Sequence, residues 1–174
     1  MDYDQQIETL SNKLVEGFLP TIDILSALLG AEERYYMGSH CRFVSEKSEE
    51  VARYMGMSES DIFEIKTAGL LHDIGKIGFP DTLLAKFPPE MTPEEFRFYV
   101  RHCELGKEVL RRHSYLASIA EIVYQHHERL DGSGFPRHLR GDAIHTGAMI
   151  IGVVDVYHNA MYRRTKDRYQ SAAT

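Results

Sequence analysis

Histidine and aspartate stand along this chain where a helical period calls for apolar side chains. His40 falls on the same predicted face as Val44, Val51 and Met55, in a helix expected from about Ser39 to Met55. His72-Asp73 follows the apolar stretch "TAGLL", and His102 is in register with Phe98, Leu105 and Val109. His126-His127 follows Ile119, Ile122 and Val123, and Asp155 follows Ile151 by one turn. Any one of these is explained as a hydrogen-bonded core histidine or a capping carboxylate. Collectively that explanation fails. Five histidines and two aspartates on inner helix faces are costly to bury without an electropositive partner.

The same periodicity runs through almost the whole chain. Ile7, Leu10, Leu14, Phe18, Ile22, Leu25 and Leu29 recur at helical spacing, with Pro20 expected to kink or split that segment. Ser58 with Asp61 opens a helix expected through "DIFEIKTAGLLHDIG", and Thr92-Pro93-Glu94-Glu95 is a stronger start signal. Further helices are expected at about 115–128 and 146–164, with loops at 75–91 and 129–142. No period-two strand pattern is found. The expected fold is all-α, a single-domain helical bundle, and 174 residues suit one core. Residues 1–36 are expected as a helical segment packing on a core of residues 37–174. The N-terminal stripe could equally form a homodimer seam.

A metal supplies the missing positive charge, because imidazoles and carboxylates are its usual ligands. Seven candidates, none a thiolate, exceed what one tetrahedral zinc needs. Two divalent ions follow, iron or manganese, held ~3.5–4 Å apart by a bridging group. Asp73, with two carboxylate oxygens, is the expected bridge, and a hydroxide shared between the ions is a nucleophile at neutral pH. Lys76 lies four residues after His72 and reads either as a solvated helix-end lysine or as a phosphate contact. Arg137 and Arg140 leave the loop "DGSGFPRHLRG"; either reads as a surface charge, and bidentate phosphate recognition is the sharper reading for Arg137.

The formal net charge of −6, with no long run of Lys or Arg, argues against duplex nucleic acid. The longest wholly apolar run, "GAMIIGVV", is too short to span a bilayer, so no membrane insertion is expected. The start "MDYDQQIETL" is acidic and polar, unlike a signal or transit peptide. Cys41 and Cys103 are the only cysteines, which fits a reducing cytoplasm.

The series "LLHDIGKIGFPDTLL", "HCELGKEVL", "HHERLDGSGFPRHLRG" and "VVDVYHNAM" resembles the HD-GYP family, a branch of the HD-domain phosphohydrolases. The likeness covers residues 8–165. It implies an HD-domain helical fold and a bacterial phosphodiesterase that converts cyclic di-GMP to pGpG or GMP. The family's metal ligands fall on His40, His72, Asp73, His102, His126, His127 and Asp155. Its catalytic and phosphate-contacting lysine falls on Lys76, and its GYP segment on Gly134, Phe135 and Pro136, followed by Arg137. Gly134, Phe135 and Arg137 are thereby expected beside the substrate. Sensor, receiver or diguanylate cyclase domains are the partners such a domain accompanies.

The sequence departs from the family in places. Tyr36 stands where some members carry an extra carboxylate, so two ions are expected rather than three. Met149 replaces an arginine, and "DVYHNAMYRRTKDRYQ" replaces the usual "DVYDALTSDRPYR". Phe135 keeps the aromatic face of the usual tyrosine and loses its hydroxyl. Two alternatives stay open: hydrolysis of another nucleotide or phosphate ester, and a weakly active or inactive cyclic-dinucleotide signalling module.

Overall fold

Side-chain caps start two of the helices where the sequence indicates. In the computed structural model, which describes residues 40–172 with side chains through residue 161, Ser58 Oγ accepts the Asp61 N–H at 3.2 Å. Thr92 Oγ1 accepts the Glu95 N–H at 3.2 Å, while Glu95 Oε2 accepts the Thr92 N–H at 2.8 Å. This reciprocal cap satisfies two amides that the first helical turn leaves without partners. The expected segment at residues 1–36, with Pro20 and Tyr36, lies outside the described residues.

The helices in order are α1 (His40–Tyr54), α2 (Glu59–Leu71), the one-turn α3 (Asp81–Leu84), α4 (Pro93–Tyr99), α5 (Arg101–Leu110), α6 (Ala117–Gln125) and α7 (Thr146–Ala172). Short 3₁₀ turns at Ile74–Lys76, Pro88–Glu90, Ser114–Leu116 and Gly141–Ala143 link them, and no strand occurs among the described residues. The all-α expectation holds. α2 packs on α1, α6 and α7, and α5 packs on α6 and the Ile74–Lys76 turn. Val44, Ile65, Leu71, Ile119, Ile122, Val123 and Ile151 are buried at the common core. No described helix is long and apolar enough to cross a membrane.

Two faces differ from their expected composition. Val51 and Met55 are 39% and 55% exposed, and α1 instead buries His40, Cys41, Val44, Ser45, Ser48 and Ala52. The small residues let α1 lie close against α2, with Ser45 Oγ donating to the Lys66 carbonyl at 2.8 Å. In α5, Phe98 in the preceding helix and Val109 are exposed, while His102, Cys103, Gly106 and Leu110 face inward. A small residue at position 106 admits the Ile74–Lys76 turn, and the helix rotates its bulkier apolar side chains outward to keep that contact.

Two helices also stop earlier than their patterns suggest. α2 ends at Leu71 and α6 at Gln125, so His72 and His126 are the C-terminal cap residues. The chain then turns sharply. Gly75 allows that turn to press on α5, because a Cβ there would overlap the carbonyl of His102.

Candidate metal centre

Three histidines of the centre are oriented by a backbone carbonyl. His72 Nδ1 donates to the Gly69 carbonyl at 2.9 Å, His102 Nδ1 to the Tyr99 carbonyl at 2.6 Å, and His126 Nδ1 to the Val123 carbonyl at 2.6 Å. Each acceptor lies three residues earlier in the chain. With Nδ1 committed to a carbonyl, the Nε2 of each ring points inward, the arrangement a metal-binding imidazole needs.

These inward nitrogens converge with that of His40. His40 Nε2 lies 3.3 Å from His72 Nε2, and His102 Nε2 lies 3.5 Å from His126 Nε2. Donor atoms of His40, His72 and Asp73 lie within 4.8 Å of one another, and so do those of His102, Cys103, His126 and His127. The two aspartates join these groups. Asp73 Oδ2 is 3.4 Å from His72 Nε2, and its Oδ1 is 3.7 Å from His102 Nε2. Asp155 Oδ1 is 3.2 Å from His40 Nε2, and its Oδ2 is 4.0 Å from His127 Nδ1. All seven residues singled out in the sequence therefore meet in one place.

The donor set fits divalent metal on its own structural terms. Asp73 Oδ1 and His127 Nε2 are buried polar atoms without a hydrogen-bond partner, which is costly unless a cation accepts them. Burial drives His102 down to about 3 and His126 down to about 4, and it holds His127 well below the usual histidine range. These three are neutral ligands at pH 7. Burial alone would lower His72 too, but the Asp73 charge and hydrogen bond reverse the effect and raise it to about 9. Burial raises Asp73, yet His72 and Lys76 outweigh it and hold the carboxyl well below its ordinary value. Asp155 follows the same pattern: burial opposes ionisation, the His40 hydrogen bond and the His72 charge favour it, and the carboxyl falls to about 2. One protonated imidazole among ionised carboxylates marks where a stronger cation belongs.

A cavity of about 450 Å³ opens over the cluster, with His40, His127 and Asp155 in its lining. Lys76, Tyr99, Arg129 and Phe135 line it as well. Lys76 does not continue α2 but belongs to the 3₁₀ turn, and its Nζ donates to Asp73 Oδ2 at 2.6 Å. Phe135 packs against His127 with ring centroids 4.6 Å apart and meets Phe96 edge-on at 5.6 Å. Its ring is a wall of the cavity, as its aromatic character suggested.

The rest of the glycine loop is placed differently. Arg137 points to Glu121, Nη1 to Oε1 3.8 Å, with its side chain 52% exposed, and it does not line the cavity. Gly134 packs on the chain at residues 127–129, where a Cβ would overlap backbone, rather than on the cavity. The cause is Glu128. This buried carboxylate accepts the Arg137 N–H at 2.6 Å and the Leu139 N–H at 3.0 Å, and so fixes the direction in which Arg137 leaves the loop. Arg129 is the loop cation that reaches the cavity, its Nη1 donating to the Glu128 carbonyl at 2.9 Å. Met149 lines an adjoining apolar groove, separated from the cavity by Arg129 and Val156. Sequence reasoning missed Glu128, Arg129 and His158. Glu128 carried one signal, a lone acid directly after the His126-His127 pair.

This arrangement of helices is shared with a solved HDG"Y"P protein, Bd1817 from Bdellovibrio bacteriovorus. The match has a TM-score of 0.60 and 24% identity, covering 67% of this chain and 38% of that one. The class is thus a helical HD-type fold with clustered histidine and aspartate donors on its inner faces. Residues 23–174 match the HD domain family, and the chain belongs to that family. A cyclic di-GMP phosphodiesterase of Thermotoga maritima is 43% identical over 127 residues, 72% of this chain and 34% of that protein. A 3'3'-cGAMP-specific phosphodiesterase of Vibrio cholerae is 38% identical over 122 residues, 69% of this chain and 23% of that protein. The chain spans about a third or less of the length of these two relatives. The likeness to the HD-GYP branch read from the motifs is borne out.

Proposed function

We propose that this chain is a metal-dependent phosphodiesterase acting on a cyclic dinucleotide of the cyclic di-GMP class in the bacterial cytoplasm, releasing pGpG or GMP. The observation that carries this reading is the inward convergence of His102 and His126 Nε2 at 3.5 Å, both rings packed against His127, which lines a cavity together with Lys76 and Arg129. Donors from His40, His72, Asp73, His102, His126, His127 and Asp155 would hold two divalent ions, iron or manganese, with Asp73 between the two groups. When bound, such ions supply Lewis acidity at the phosphoryl oxygens and a water-derived nucleophile at neutral pH.

The protein's own side chains do the rest. Lys76, anchored on Asp73, faces the cavity as an ammonium that offsets charge developing on a phosphoryl oxygen. Arg129 offers a second cation in the cavity lining. Phe135 and Tyr99 present aromatic surface against which a nucleobase can pack, and the two cationic groups of the same lining accommodate the phosphodiester. The names of the relatives above support the cyclic-dinucleotide reading, both cyclic di-GMP and 3'3'-cGAMP being purine cyclic dinucleotides.

The test is hydrolysis of cyclic di-GMP, 3'3'-cGAMP and a simple aryl phosphodiester by protein loaded anaerobically with Fe(II) or Mn(II). Turnover of a cyclic dinucleotide, with at least a hundredfold loss in Asp73→Ala (roughly 2.7 kcal/mol or more of transition-state stabilisation), supports the reading. Turnover of the aryl ester alone transfers the proposal to another phosphate ester. Two bound ions without turnover of any of the three sinks the enzymatic reading.

A further inference from the structure

Cys103 is fully buried, yet it stands outside the cluster of apolar side chains that forms the core. Its surroundings are imidazoles. Sγ lies 3.5 Å from His102 Nε2, the same nitrogen that meets His126 Nε2 at 3.5 Å. One donor atom from each of His102, Cys103, His126 and His127 falls within 4.8 Å of all the others. α5 buries the adjacent residues His102 and Cys103 together with Gly106 and Leu110, so both donors of the pair are held in the interior.

From this geometry we infer that Cys103 ligates metal through Sγ. One half of the centre then carries a thiolate among three imidazoles and prefers a thiolate-accepting ion, Fe(II) or Zn(II), over Mn(II). The inference rests on the metal-dependent reading proposed above and adds one donor to it.

The donor spacing supports four-coordination. A tetrahedral ion with metal–nitrogen distances of about 2.0–2.1 Å and a metal–sulfur distance of about 2.3 Å sets its nitrogens roughly 3.4 Å apart, and nitrogen from sulfur roughly 3.6 Å. The separations His102 to His126 and His102 to Cys103 are both 3.5 Å. The fourth donor is His127, whose side chain is 10% exposed and whose Nε2 is a buried nitrogen without a hydrogen-bond partner. As the sulfur–metal bond forms, the thiol proton leaves to solvent and the sulfur lone pair goes to the ion. The two halves of the centre are then chemically unlike. His40, His72, Asp73 and Asp155 offer imidazole and carboxylate, whereas the half holding Cys103 offers nitrogen and sulfur, the set that favours softer ions. Asp73 touches both, with Oδ2 3.4 Å from His72 Nε2 and Oδ1 3.7 Å from His102 Nε2.

Co(II) reports a bound thiolate directly, through a sulfur-to-cobalt charge-transfer band in the near ultraviolet that imidazole and carboxylate complexes lack. Chelator-treated protein titrated anaerobically with Co(II) should develop that band together with the visible absorption of the bound ion. The band should vanish in Cys103→Ser and Cys103→Ala. It should persist in Cys41→Ala, where Cys103 is the one thiol left in the sequence, so the assignment stands even where the Cys103 variants fold poorly. Visible absorption without the charge-transfer band in the wild-type protein overturns the thiolate and leaves the metal centre standing. A band that disappears in Cys41→Ala overturns the assignment to Cys103. Competition with a chromophoric chelator should find Zn(II) at one site weakened roughly tenfold or more in Cys103→Ser, and Mn(II) by less than about threefold. Equal changes for the two ions overturn the stated preference. A wild-type protein that binds no Co(II) overturns the metal centre itself.

Discussion

His102 and His126 face each other with their Nε2 atoms 3.5 Å apart, while each Nδ1 is committed to a backbone carbonyl. Both rings are neutral at pH 7, because burial drives them down to about 3 and about 4. Two lone pairs are thus held together by the packing of α5 and α6, and a cation between them turns repulsion into ligation. Addition of Mn(II) at about 100 times its dissociation constant should therefore stabilise the fold by about 2.7 kcal/mol. In a protein of this size that raises Tm by on the order of 5–10 °C. Calorimetry of chelator-treated protein before and after Mn(II) addition checks this, and an unchanged Tm counts against the centre.

His72 predicts a proton signature for the same event. Its imidazole is raised to about 9 by Asp73 in spite of burial, so it carries a proton at pH 7.5 in the metal-free protein. An imidazole must be neutral to ligate a metal. Mn(II) binding at pH 7.5 should release about one proton from this residue, and the release should fade above about pH 9. Titration calorimetry in two buffers of different ionisation enthalpy measures that number. No release at pH 7.5 would place His72 outside the ligand set.

The pH dependence of the metal-free fold has two limbs of opposite sign. His102 and His126 have folded values below the ordinary 6.5, so the unfolded chain binds more protons as pH falls from 6.5 toward 4, and stability drops. His72 has a folded value above 6.5, so its contribution is complete below 6.5 and is lost as pH rises through about 9. Each titrating group contributes a slope of about 1.4 kcal/mol per pH unit. Urea unfolding of chelated protein should give a maximum between roughly pH 6 and 7.5. A curve that rises steadily from pH 7 to 9 would falsify the assignment of His72.

Glu128 should matter to the loop well before it matters to chemistry. Its carboxylate takes the amides of Arg137 and Leu139, and both lose their acceptor in Glu128→Ala. A buried hydrogen bond to a charged group contributes about 1.5–3 kcal/mol, so the variant, missing two, should lose on the order of 3–6 kcal/mol. Glu128→Gln keeps one acceptor oxygen and should lose about half as much. Hydrogen exchange at the two amides is the sharper readout, and unchanged protection in Glu128→Ala sinks the idea.

Arg129 and Arg137 should separate cleanly in binding experiments. Arg129 lines the cavity, whereas Arg137 pairs with Glu121 at 3.8 Å and is half exposed. Arg129→Ala should weaken cyclic di-GMP binding by roughly 10- to 100-fold, the loss of one charge-assisted contact. Arg137→Ala should stay within about threefold, since an exposed ion pair contributes little. Calorimetric titration with the non-hydrolysing Asp73→Ala background, folded by circular dichroism, measures both; the reverse order would restore Arg137 to the substrate.

What could be read along the chain was whatever repeats with the helical period or sits within a few residues of its partner. Histidines and aspartates at inward positions announced the donor set, because a polar residue that breaks an apolar stripe is visible one turn away. The Thr92 cap and the all-α character were legible for the same reason. Tertiary packing decided the rest. α2 stops at Leu71, and the turn that follows carries Asp73 toward His102, a contact twenty-nine residues distant. Arg129 rather than Arg137 enters the cavity because Glu128 captures amides nine and eleven residues further on. His40 and His158 meet across 118 residues, where no local pattern connects them. Helical period is a property of neighbouring residues, but the direction of a long side chain is set by hydrogen bonds that close only once the helices have packed.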